Sequence, residues 1–306
     1  MTQTTFALKG ILPALSTPFA PDGTVNISVL RRMVRYHLSV GCHGFFVCGT
    51  AGEGLLLSRD ERRLVVETVM DEIAGQVPII VHVGTVSTRE SAALAKDAAE
   101  LGASAVSSIP PVYYPVGLEG IIEHLKAISG ASGLPTYYYH IPIISHVPLV
   151  LNDFMEIIDQ VPGLVGFKFT FPDLHLLWCI LDAAGPDSIS ILYGMDEQLL
   201  QGLISGAVGG IGSTYNYQSK TVVQLYEAFC RGDLDTAMQM QRKVNAVVRI
   251  LRKYGGNLAT EKEIMKMLGY EVGQPRGPIR PFPQDRTALI RKELEDIGFF
   301  NGRITE

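Results

Sequence analysis

The chain has 306 residues, 47% of them hydrophobic and 19% charged, with a formal net charge of -5. That length supports a sizeable core, as one large domain or two average ones, and the balance of apolar to charged residues excludes a disordered chain. The acidic balance leaves no basic stripe for nucleic acid and no polybasic anchor for a membrane, so neither is expected as a partner.

The N-terminal stretch MTQTTFALKG lacks a basic segment followed by a long apolar run, so no secretory signal is expected. No later run approaches the ~18 apolar residues of a spanning helix. Cys42, Cys48, Cys179 and Cys230 are scattered, form no C-x-x-C pair and read as reduced core residues of a cytoplasmic protein. Neither they nor the histidines have metal-ligand spacing, so no metal is expected.

Apolar runs of strand length recur at 11–15 (ILPAL), 44–48 (GFFVC), 78–83 (PIIVHV), 105–110 (AVSSIP), 136–142 (TYYYHIP), 164–170 (LVGFKFT), 189–194 (ISILYG) and 207–212 (AVGGIG). Segments of helical period lie between them, at 27–40, 59–74, 88–101, 118–130, 152–160, 173–184, 196–205 and 219–231. Thr88 with Glu90, Asn152 and Asp173 make helix starts, and Gly102, Gly133 and Gly185 follow helix ends. Such alternation means right-handed βαβ units on a parallel sheet, and eight of them close most economically into a (β/α)8 TIM barrel. A doubly wound sheet is the alternative, but no dinucleotide fingerprint follows the first strand. Three further helical patterns, 234–254, 258–268 and 286–297, are too few for a second enzyme domain. The chain therefore divides into a catalytic barrel, 1–231, and a C-terminal helical extension, 232–306, with a Pro- and Gly-rich loop at 273–285 before the last helix.

Within LVGFKFTFP (164–172) the residues at 166, 168 and 170 share one face of the strand and the phenylalanines 167 and 169 the other, which sets a lysine on an otherwise apolar run. An isolated lysine of this kind ordinarily snorkels to water. In a barrel, however, active sites gather at the C-terminal strand ends. The same rim receives GTAGEG (49–54), PPVYYP (110–115), YYYHIP (137–142), GMDE (194–197) and GGIGSTYN (209–216). Singly each has a plain structural reading: GTAGEG lacks the G-K-[ST] ending of a phosphate loop, tyrosines near prolines often pack, and GGIGST suits a turn needing positive φ. Together they form a site. Burial would free the Lys168 amine to form a Schiff base with a 2-oxo acid, the iminium then acting as electron sink for the adjacent carbon–carbon bond. Tyr139, on the neighbouring strand, is the candidate proton carrier.

GTAGEG, YYP, YHIP, GFKFT, GMDE and GIGSTYN, in this order and spacing, resemble the pyruvate-dependent class I aldolases of the dihydrodipicolinate synthase and N-acetylneuraminate lyase family, over about residues 8–270. The resemblance implies that Lys168 is the Schiff-base nucleophile and Tyr139 the proton-transferring phenol. Thr50 and Tyr113 would complete a hydroxyl relay, Tyr113 coming from a neighbouring subunit. It further implies no cofactor, pyruvate and an aldehyde sugar as small-molecule partners, and a homotetramer built as a dimer of dimers.

Dihydrodipicolinate synthases carry an arginine where this chain has Ile144, so the resemblance argues against a dicarboxylic product. HVG (82–84) and the other motifs look like the lyase branch, in which Thr170, Gly194, Asp196, Glu197 and Ser213 would contact a polyhydroxylated tail. Ionised Asp196 and Glu197 suit hydroxyl donors, although acidic residues also favour a helix start. The chain departs from the pattern at Ala51, where the family usually has a second hydroxyl residue that helps hold the substrate carboxylate; backbone N–H groups of the loop remain available. The expected activity is reversible cleavage of N-acetylneuraminate. An aldolase or dehydratase of another 2-keto-3-deoxy sugar acid is the alternative. Less favoured are a dihydrodipicolinate synthase and a non-catalytic sugar-acid sensor, which would have no need of Lys168 and Tyr139.

Overall fold

The computed structural model of the protein describes residues 8–185 and 187–301. The first seven residues, part of the stretch read as lacking a leader, lie outside the described residues.

Eight strands alternate with helices. They are β1 (Gly10–Pro13), β2 (Phe45–Val47), β3 (Ile79–His82), β4 (Ala105–Ser108), β5 (Thr136–His140), β6 (Leu164–Phe169), β7 (Ser190–Tyr193) and β8 (Gly209–Gly212). The helices are α1 (Ile27–Ser39), α2 (Arg59–Ile73), α3 (Thr88–Glu100), α4 (Gly117–Ser132), α5 (Pro142–Ser145), α6 (Leu151–Gln160), α7 (Leu174–Ala184), α8 (Leu199–Ile204), α9 (Tyr215–Cys230), α10 (Leu234–Lys253), α11 (Leu258–Met267) and α12 (Thr287–Asp296). The strands pair in parallel in the order β1-β8-β7-β6-β5-β4-β3-β2. A parallel bridge between Ala14 and Phe46, with the Leu15 N–H donating to the Phe46 carbonyl at 2.8 Å, returns β1 to β2. The ring so closed is the expected (β/α)8 barrel, not an open doubly wound sheet.

Each strand faces two ways. Leu12, Phe46, Ile80, Ala105, Tyr137, Tyr139, Leu192 and Ile211 pack together inside the barrel, while Phe167, Phe169 and Tyr193 join the helix layer outside it. The extension belongs to the same core: Val247, Leu251, Ile264, Met265, Ile290 and Leu294 cluster with apolar residues of α1, α2 and β3. Among the described residues, no helix is long and apolar enough to cross a membrane.

Several local expectations need correction. The cap of α3 is Ser87, whose hydroxyl accepts from the Glu90 N–H, and not Thr88. Asn152 lies inside α6; the Asp153 carboxylate instead accepts from the Val150 N–H at 2.8 Å. Asp173 does cap α7. The strand expected to reach 142 ends at His140, because Pro142 opens α5 with no N–H to give to a ladder. The helix expected from 219 starts at Tyr215. Cys42 and Cys48 are buried, but Cys179 is half-buried and Cys230 exposed, so only two of the four are core residues; the other two sit on outer helices.

Candidate active site

The β6 register puts Lys168 opposite Tyr139 of β5 on one side and Leu192 of β7 on the other, so all three share the inner face. The lysine does not snorkel. Only 4% of it is exposed, and its Nζ lies 4.0 Å from the ring centroids of both Phe46 and Tyr139. Burial lowers its pKa to about 7, against the opposing pull of the Asp196 carboxylate. A large fraction of the amine is therefore neutral and nucleophilic near neutral pH.

Tyr139 is buried beside it, and desolvation pushes the phenol up to about 12; the Thr50 and Thr170 hydroxyls oppose the rise and Asp196 adds to it. The phenol keeps its proton at neutral pH and stands as a donor next to the amine. His82 of β3 packs edge-on against Tyr139 at 6.0 Å. Burial, followed by the charges of Arg62 and Lys168, holds its pKa well below the ordinary range. Its Nε2 accepts a long bond, 3.4 Å, from the Ile109 N–H. The imidazole is therefore neutral, with Nε2 engaged by a backbone amide.

Thr50 reaches this group from the loop 49–54, which is tightly wound and held from outside. The Glu53 and Gly54 amides donate to the Thr50 and Gly49 carbonyls at 3.0 Å each, and the Thr17 hydroxyl donates to the Gly52 carbonyl at 2.7 Å. Ala51 is buried in the turn. Glu53 adopts the left-handed conformation at φ 54° and aims its carboxylate at Lys262 of α11, 2.6 Å away, with side-chain exposures of 0% and 2%. Lys262 also donates to the Thr17 carbonyl at 3.0 Å and the Gln274 carbonyl at 3.3 Å, while the Arg276 N–H donates to Glu53 at 2.7 Å. Burial lowers Lys262 to about 8 and Glu53 pulls it back up. The extension thus locks the loop that carries Thr50 and Ala51.

Across the rim, Asp196 is buried just beyond β7. Its Oδ2 accepts from the Thr214 N–H at 2.9 Å, and its Oδ1 has no hydrogen-bond partner among the described residues. Burial raises its pKa to about 6, against Thr214. A Cβ on Gly212 would lie 2.1 Å from that Oδ1, and one on Gly194 would lie 2.0 Å from Thr170 Oγ1. Close approach therefore explains these glycines; Gly209, Gly210 and Gly212 form strand β8 and have no positive φ, unlike the turn suggested by GGIGST. Ser213 donates to Glu261 at 2.7 Å. Glu197 turns to Arg252 of α10, with which it forms a close ion pair. Tyr113 stands apart: 88% exposed, at φ 84°, it packs edge-on against the neighbouring Tyr114 ring. Ile144 is half exposed on α5.

The structure therefore gathers Lys168, Tyr139, Thr50, Thr170, Gly194 and Asp196 at one mouth, with Ser213 on its edge and Tyr113 outside. Sequence reasoning missed Glu53, Lys262, Arg252 and Glu261. Glu53 lay within a motif already singled out, but its partner comes from a helix whose pattern, LATEKEIMKML, signals only amphipathic period. Among the described residues no three metal-ligand side chains converge.

A closed barrel with a desolvated lysine and a protonated phenol at its C-terminal rim defines a site able to run Schiff-base chemistry on a 2-oxo acid. The pattern of the dihydrodipicolinate synthetase family matches residues 7–297, and the chain belongs to that family, as its motifs suggested. It is 41% identical over 296 residues to the N-acetylneuraminate lyase of Citrobacter koseri, covering 95% of this chain and 99% of that one. Among solved structures it resembles the Proteus mirabilis N-acetylneuraminate lyase with a TM-score of 0.89 and 32% identity, over 96% of this chain and 99% of that one. A Ruminococcus gnavus sialic acid aldolase, solved as a mutant of its catalytic lysine, superposes with a TM-score of 0.90 at 28% identity, covering 97% of this chain and 98% of that one.

Proposed function

We propose that the protein is a Schiff-base lyase that cleaves N-acetylneuraminate reversibly to pyruvate and N-acetylmannosamine. The single observation that carries the reading is Lys168, buried against Tyr139 with its pKa brought to about 7. The neutral amine adds to the 2-oxo carbon and the carbinolamine loses water to give an iminium. The C4 hydroxyl then gives up its proton, the C3–C4 bond breaks with its electron pair flowing into the iminium to leave an enamine, and the sugar aldehyde departs. Protonation of the resulting enamine and addition of water release pyruvate and return the amine. Tyr139 carries the protons, with Thr50 and a neighbouring subunit's Tyr113 completing the relay. The assembly would be a homotetramer, a dimer of dimers, and the exposure of Tyr113 leaves it available to another subunit's mouth.

The 2-oxo acid carboxylate lies against loop 49–54, held by its backbone N–H groups beside Ala51. Thr170, Gly194, Asp196, Glu197 and Ser213 serve the sugar tail, and the unpaired buried Asp196 Oδ1 supports that use. Two buried thiols in no disulfide among the described residues, Cys42 and Cys48, support a reducing, cytoplasmic setting. Ala51 favours a second reading, an aldolase or dehydratase acting on a shorter 2-keto-3-deoxy sugar acid. Treatment with pyruvate and borohydride, followed by peptide mapping, should label Lys168, and N-acetylneuraminate should release pyruvate. A label elsewhere removes Lys168 from the mechanism; a Lys168 label with turnover confined to shorter acids selects the second reading.

A further inference from the structure

The extension reaches the barrel mouth through two consecutive residues of α11. Lys262 grips loop 49–54, and its neighbour Glu261 goes to the β8 side, where Oε1 accepts the 2.7 Å hydrogen bond from Ser213. Ser213 has one hydroxyl hydrogen, and Glu261 takes it; toward any ligand the Ser213 oxygen is then an acceptor. Glu261 is itself buried. Burial raises its pKa to about 7, Ser213 opposes the rise, and the charge of Asp196 adds to it, so the two carboxyls share one electrostatic neighbourhood.

An acid in the first turn of a helix is favoured by the helix dipole, and Glu261 occupies such a position in α11. That role is fulfilled from an exposed position. It does not require a carboxyl buried within the influence of a second one, whose Oδ1 lacks a hydrogen-bond partner among the described residues. The arrangement makes sense where donors arrive with a ligand.

We propose that Glu261 is a specificity-determining residue for the sugar tail, forming with Asp196 and the Ser213 oxygen one acceptor-rich subsite for the hydroxyl groups of a polyhydroxylated aldehyde segment. The assignment rests on the lyase reading and adds a residue of the extension to the binding surface. A short 2-oxo acid, with few hydroxyls beyond the cleaved bond, does not reach this subsite.

The test compares Glu261→Leu and Glu261→Gln with the parent enzyme on N-acetylneuraminate and on a six-carbon 2-keto-3-deoxy sugar acid, with pyruvate–borohydride labelling of Lys168 as the check on folding and chemistry. In assays above the raised pKa of about 7, where Glu261 is ionised, loss of a hydrogen bond to this charged group predicts that Glu261→Leu lowers the long-to-short ratio of kcat/KM about tenfold, mainly through KM for the long acid. Glu261→Gln keeps an acceptor for Ser213 and should lower the ratio less. An unchanged ratio in both variants, or equal losses on the two acids, overturns the assignment while leaving the lyase reading in place. A parent enzyme that labels with pyruvate yet cleaves neither acid refutes the lyase reading and Glu261 with it.

Discussion

Two rim loops carry hydroxyl residues expected at the site, and they are built in opposite ways. Loop 49–54 is wound on its own backbone bonds and pinned by the buried pair of Glu53 and Lys262, so Thr50 is placed by its own chain. The segment that carries Tyr113, between β4 and α4, leaves its tyrosine 88% exposed with a left-handed backbone. A tyrosine in that conformation is strained. The fixed loop holds its hydroxyl residue within its own barrel mouth; the exposed one leaves its tyrosine to solvent, available to the neighbouring subunit proposed above.

The largest expected effect attacks the fixed loop. Lys262→Met strands the buried Glu53 carboxylate and should destabilise the fold by about 3–5 kcal/mol, measured by urea unfolding. A variant with parental stability would show that the pair does not hold the loop. At the exposed loop, Tyr113→Phe should leave stability unchanged and lower kcat by about 10², or about 2.7 kcal/mol in barrier. Mixing Tyr113→Phe with Lys168→Ala chains after exchange of subunits should restore part of the activity, because one mixed site then holds both groups. No recovery in demonstrably mixed oligomers would place Tyr113 in its own barrel or outside the mechanism.

Inside the mouth lies the amine itself. Lys168 has its pKa lowered to about 7, so the reactive form dominates above that pH and declines as pH falls through it. The rate of adduct formation should therefore drop about tenfold per unit on the acid side. Asp196 raises the lysine's pKa, so Asp196→Asn should move this limb to lower pH; a shift to higher pH contradicts the assignment. The smallest effect returns to the fixed loop. Ala51→Thr should lower KM for pyruvate by about tenfold, with little change in kcat, if a hydroxyl there gains one bond to the carboxylate. Ala51 is buried in a tight turn, and poorer affinity in a folded variant would mean that the loop leaves no room for one.

The reading of Lys168 was legible because a charge in the middle of a β-branched and aromatic run breaks a local pattern, and the barrel register then gave it a place beside Tyr139. The eight strands were legible for the same reason. Helix caps were less so: Ser87, Thr88 and Asn152 all have capping side chains, and only the path of the backbone chooses among them. The glycines of β8 looked like a turn because sequence records the absence of a side chain but not what would collide with it.

By itself, then, the sequence determined the barrel, since period and composition act over a few residues and repeat eight times, and it marked Lys168 and Tyr139 through strand alternation and the family motifs they sit in. Only the tertiary structure decided that Glu197 is tied to Arg252, that Glu53 is locked to Lys262, that Ser213 gives its hydrogen to Glu261 and that Tyr113 points out of its own site. These contacts join residues distant in the chain, or depend on which face of a loop meets solvent. Neither condition leaves a periodic trace in the order of amino acids.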